Sequence, residues 1–86
     1  MKSEQSQDSL ITAIDLAIAG DWQRSHQIVQ DLESPVAYLI HAILHKIEGD
    51  RSNSSYWYRR AKSEYNQNEP IQELTALKMR LESSSN

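Results

Sequence analysis

The 86-residue chain carries a formal charge of −3 and has neither cysteine nor phenylalanine, which is room for one domain near the size where a single core just suffices. Without cysteine there are no disulfides, no cysteine-ligated zinc and no thiol chemistry, and the eight acidic against three basic side chains of residues 1–50 make a poor surface for a phosphate backbone. No apolar run approaches the ~20 residues of a membrane span and MKSEQSQDS has no apolar leader core, so a cytoplasmic protein with no nucleic-acid and no membrane partner is expected.

In chain order the sequence reads as helix almost throughout. Leu10, Ile11, Ile14, Ala17 and Ile18 recur at helical spacing, and Gly20 closes that segment as a left-handed cap. Asp21 is placed to cap a second helix with the stripe Trp22, Ser25, Val29 and Leu32. Ser34-Pro35 is an N-cap followed by proline at the first helical position. Residues 36–47 are apolar around most of the circumference, which marks a central helix. Gly49-Asp50 repeats the earlier punctuation, and a fourth helix is predicted from about 52 to 65. After the turn NQNEP, Pro70 opens a fifth helix with the stripe Ile71, Leu74, Leu77 and Leu81. A single domain over 1–86 is expected, with flexible tails at 1–6 and 83–86. So small a core, in which every aromatic is Trp or Tyr, also makes a homodimer an open expectation.

Gly20 and Gly49 stand 29 residues apart, and each is followed five positions later by serine, Ser25 and Ser54. A fixed period in this range signals stacked helical hairpins. The stretch PVAYLIHAILHKIEGDRSNSSYWYRRA, residues 35–61, resembles a tetratricopeptide repeat through Tyr38, Ala42, Gly49, Asp50, Ser54, Tyr58 and Ala61. Residues 10–32 match more weakly, through Gly20, Asp21, Ser25 and Leu32. His41 stands where the family usually has leucine and His45 where it usually has tyrosine, and the period is shorter than the family's ~34 residues. The segment EGDRSNSSYWYRRA is also similar to small bacterial proteins, a likeness that implies no activity. The expected fold is all-α: about five antiparallel helices, two stacked hairpins in a right-handed array, and a C-terminal capping helix.

At ~100° per residue, Tyr38, His41, His45 and Glu48 share one face of the third helix, while Leu39, Ile40, Ile43 and Ile47 centre on the other. In the tetratricopeptide-like register the histidine face meets Ser54, Tyr58, Ala61 and Tyr65 of helix four. Three readings of that seam stand open. The histidines are hydrogen-bonded structural groups, or two ligands of a metal with Glu48 as a third, or an acid–base or ligand pocket made of His41, His45, Glu48 and Tyr58. The pair is not a His-Glu-x-x-His motif, because Ala42 follows His41, and no nucleophile or phosphate loop supports catalysis. His26 reads as a lone surface histidine.

In YWYRRA, Tyr58 and Ala61 belong to the inward stripe, Trp57 and Arg60 to a second face, and Tyr56 and Arg59 to a third. Trp, Tyr and Arg are the residues enriched at protein interfaces. The first expectation is therefore a non-catalytic scaffold or adaptor without cofactor, binding a protein or peptide partner through Tyr56, Trp57, Arg59 and Arg60. Helix five is expected to cover Trp57 and close the array. The alternative is a small-ligand or metal site, with or without an enzymatic role, in the His41/His45/Glu48/Tyr58 seam.

Overall fold

Five helices follow one another in the computed structural model: α1 Lys2–Ile18, α2 Trp22–Gln30, α3 Pro35–Ile47, α4 Arg51–Arg60 and α5 Pro70–Ser84. The structure describes residues 2–84, with side chains from 7 to 83, and contains no strand among them. The tails expected at 1–6 and 83–86 lie for the most part outside the described side chains. The fold is all-α, and none of the described helices is long and apolar enough to cross a membrane.

Helices α1 and α2 form one hairpin and α3 and α4 a second; α2 packs on α3, and α5 lies across α1 and α3. The two hairpin turns are built identically from local chemistry. Gly20 and Gly49 sit at φ of 93° and 83°, the left-handed region that glycine enters without steric cost. Asp21 N donates to Leu16 O (2.8 Å) and Gly20 N to Ala17 O (3.1 Å), while Asp50 N donates to His45 O (2.9 Å) and Gly49 N to Lys46 O (3.1 Å). These are paired Schellman closures. Each aspartate then caps the following helix, Asp21 accepting from Arg24 N (3.3 Å) and Asp50 from Asn53 N (3.2 Å). Deeper in each hairpin, Ser25 Oγ donates to Ala13 O and Ser54 Oγ to Ala42 O, both at 2.7 Å. Both serines are fully buried, so each hydroxyl is satisfied by the helix it packs against. Turn, cap and buried serine all repeat at the 29-residue spacing.

The core lies between the two hairpins and α5, around Ile14, Val29, Ile40, Ile43, Leu44 and Leu74. The α5 stripe behaves as its spacing predicts, with Leu74 and Leu77 buried and Ile71 and Leu81 partly so. Lys78 pairs with Asp15 at 2.7 Å to hold α5 on α1.

Two expectations need correction. Helix α4 stops at Arg60 rather than near Tyr65, because Lys62 takes φ of 60° and closes a third Schellman turn, Ser63 N donating to Tyr58 O and Lys62 N to Arg59 O, both at 2.9 Å. The freed chain then passes over Lys46, whose ammonium donates to Asn66 O (3.2 Å), Asn66 Oδ1 (2.9 Å) and Asn68 O (3.1 Å). Tyr65 thus belongs to a loop, though its ring still meets Tyr58 edge-on at 5.9 Å. Nor does α5 cover Trp57: it closes the core over α1 and α3, and Trp57 lies against His41, Tyr38 and Tyr56.

Candidate metal centre

The polar face of α3 meets α2 as well as α4, and this changes which residues share the seam. His26, on α2, reaches across so that its Nε2 stands 3.0 Å from Nε2 of His41. One ring nitrogen from each of His26, His41 and His45 lies within 4.8 Å of the other two. His26 is therefore not a lone surface histidine. The one sequence hint was the i, i+4 pairing of His26 with Trp22, whose indole Nε1 donates to Leu44 O at 2.7 Å and ties α2 to α3.

Each imidazole is braced by a different neighbour. His26 stacks on Trp22, with centroids 4.7 Å apart and planes 10° from parallel. His41 stacks on Trp57 at 3.8 Å and 10°. His45 holds the Glu48 carboxylate through Nδ1 at 2.5 Å, an (i, i+3) contact made by the last turn of α3. Burial is graded as well. His41 is 5% exposed, the His45 side chain 12%, and His26 is half-buried.

Electrostatics favour the neutral form of two of these rings, His41 and His26. Burial, followed by His26 and His45, lowers the His41 pKa to about 4. Burial and His45 also lower that of His26, against a smaller opposing effect of Glu48. Two neutral imidazole nitrogens at 3.0 Å share one proton, one ring donating and the other accepting, or they share a cation. Around a tetrahedral ion with Zn–N bonds of ~2.0–2.1 Å, neighbouring nitrogens stand about 3.3–3.4 Å apart. The His26–His41 gap is already close to that edge, and a His45 ring nitrogen stands within 4.8 Å of both.

A second group, His45, Glu48 and Asp50, also converges within 4.8 Å. Asp50 is already engaged there, because its carboxylate accepts from Asn53 N (3.2 Å) and Asn53 Nδ2 (2.7 Å), bonds that lower its pKa. A metal in that group would compete with the α4 cap. The three-histidine set has no such conflict.

Of the other expected site residues, Tyr58 lies elsewhere. It is fully buried, and its hydroxyl donates to both Glu73 oxygens at 2.8 and 2.7 Å. Lys46 Nζ donates to the same carboxylate at 2.7 Å. The 29-residue equivalent of Tyr58 is Val29, a core position, so the ring points into the bundle and its hydroxyl emerges beside α5. Burial and Glu73 push that hydroxyl well above the ordinary tyrosine range. Trp57 is half-buried beneath the Arg60 guanidinium, which lies 5.1 Å from its ring centroid, 4.7 Å from that of Tyr38 and 5.9 Å from that of Tyr56. Tyr56 is 44% exposed, and Arg59 is exposed on the same helix.

No protein-family model, no curated protein and no solved structure matches this chain.

Proposed function

We propose that the protein binds a transition-metal ion of the zinc class through His26, His41 and His45. The carrying observation is that three imidazoles, drawn from both hairpins, converge within 4.8 Å with each ring held in place by its own neighbour. Imidazole donors suit zinc, copper and nickel, whereas calcium and magnesium require oxygen ligands. Glu48 is then the carboxylate behind His45 that fixes its ring orientation, as carboxylates do behind metal-bound histidines. Because α2 and α3 both supply ligands, the ion would tie one hairpin to the other.

Binding to the folded chain alone adds RT ln(1 + [L]/Kd) to stability, about 2.7 kcal/mol at a hundredfold excess over Kd. Thermal unfolding with zinc and with EDTA, beside a calorimetric titration, tests this. The expected result is a higher melting temperature in zinc, absent in His26→Ala. Identical melting in zinc and EDTA with no heat of binding sinks the proposal.

A second reading is the tetratricopeptide-like adaptor, favoured by the cluster of Tyr56, Trp57 and Arg60 on one side of α4, with Arg59 beside it. That composition suits a hot spot for a protein or peptide partner, or for a second copy of the chain. Gel filtration with light scattering separates monomer from dimer. A pull-down whose captured proteins are unchanged by Tyr56→Ala with Arg60→Ala removes the partner reading.

A further inference from the structure

We propose that the ion held by His26, His41 and His45 keeps a fourth position open to water, and that hydroxide formed there attacks small carbonyl electrophiles such as carboxylate esters. This rests on the metal reading above. Three protein donors with one free position is the arrangement of catalytic zinc, whereas structural zinc is closed by four.

Among the described residues, the cluster has three histidine donors. The nearest carboxylates are committed, Glu48 to His45 Nδ1 and Asp50 to Asn53. Access follows from the grading of burial. His41 forms the floor at 5% exposure, and half-buried His26 and His45 form the rim. Trp22 and Trp57, stacked on His26 and His41, give the floor apolar walls, which strengthen the field of the ion on its bound water. The charged groups at this end of α3 are Lys46, which pairs with Glu73, Glu48 and Asp50; α4 contributes Trp57, with Arg60 beside it.

An imidazole bound to a metal brings no charge of its own, so three such ligands leave the full double charge on the ion, a setting in which zinc-bound water ionises near pH ~7. The bound water gives its proton to solvent buffer, and the hydroxide oxygen adds to the carbonyl carbon. The tetrahedral adduct then breaks its bond to the alkoxy oxygen. The alcohol leaves with a proton from water, the carboxylate is released, and a new water occupies the ion. The balance is ester plus water to acid plus alcohol, with no redox partner.

The test uses the full chain loaded with equimolar zinc, and p-nitrophenyl acetate as the probe across pH 6–9. The rate should exceed that of the metal-free chain, and of the same zinc in buffer, by at least about tenfold. It should rise through a single ionisation near pH ~7–8. With cobalt(II) in place of zinc, azide should change the visible spectrum by taking the open position. His26→Gln, folded by circular dichroism, should lose both the metal and the rate. A chain that retains zinc through gel filtration but hydrolyses no faster than its metal-free form, with an azide-insensitive cobalt spectrum, overturns this inference and leaves the metal reading standing. A chain that retains neither ion overturns both.

Discussion

His26 and His41 belong to different hairpins, yet their Nε2 atoms stand 3.0 Å apart, and the packing of α2 on α3 converges on that contact. Without a metal, the contact places a polar pair next to fully buried Ile40 and Ala42, where a hydrogen bond contributes only ~0.5–1.5 kcal/mol net.

Replacing His41 by leucine therefore distinguishes a structural role from a ligand role. As a ligand, His41 costs the metal-free fold its desolvation, and half-buried His26 can turn its freed nitrogen to water. His41→Leu is expected to raise metal-free stability by about 1 kcal/mol and to abolish the zinc-induced melting shift. Urea unfolding checks the first and scanning calorimetry the second. A loss of stability in the metal-free variant would instead mark His41 as a structural hydrogen-bonding group.

Acid should destabilise the fold within a defined window. The folded pKa of His41 is lowered to about 4, chiefly by burial, and that of His26 is lowered too, while unfolded histidine titrates near ~6.5. Between those values the unfolded chain binds protons that the folded chain refuses. The stability is fully present above pH ~6.5, falls as pH drops toward ~4 and levels off below, for a loss on the order of 1–3 kcal/mol. Urea midpoints at pH 7 and pH 4.5 measure it, and His41→Leu should flatten the difference.

Lys62 holds a left-handed conformation, φ 60°, at the position that Gly20 and Gly49 fill in the other two Schellman turns. A side chain there costs roughly 1 kcal/mol. Lys62→Gly should stabilise the chain by up to that amount. Gly20→Ala and Gly49→Ala should each lose a similar amount although a Cβ at either site meets nothing within 4 Å, since the cost is conformational rather than steric. Melting temperatures of the three variants decide it.

The Lys46–Glu73–Tyr58 cluster closes the second hairpin against α5. The Lys46 and Glu73 side chains are 7% and 14% exposed, so Glu73→Ala leaves the buried ammonium its Asn66 and Asn68 oxygens but no counter-charge, and should cost about 3 kcal/mol. Tyr58→Phe removes only the hydroxyl donor and should cost about 1–2 kcal/mol. Denaturant unfolding should rank them in that order, with zinc affinity unchanged in Tyr58→Phe because Tyr58 stands outside the histidine cluster.

The parts of this protein legible in its sequence are those made by neighbours in the chain. Gly20-Asp21 and Gly49-Asp50 specify turn and cap within a few residues, Ser34-Pro35 starts α3, and Pro70 starts α5. Their common 29-residue spacing predicted that Ser25 and Ser54 would be equivalent. The (i, i+4) spacing of His41 and His45 likewise placed both on one face of α3. The packing of elements decided the rest. Only the approach of α2 to α3 brings His26 to His41, and α4 ends at Arg60 where Lys62 turns left-handed and the chain returns over Lys46. Docking of α5 on α1 and α3, rather than over Trp57, draws Tyr58 toward Glu73 and leaves Trp57 to brace His41. Hydrogen bonds and side-chain spacing within a helix follow from its own sequence. Which faces meet depends on burying the apolar surface of all five helices at once, and that is where the third imidazole was decided.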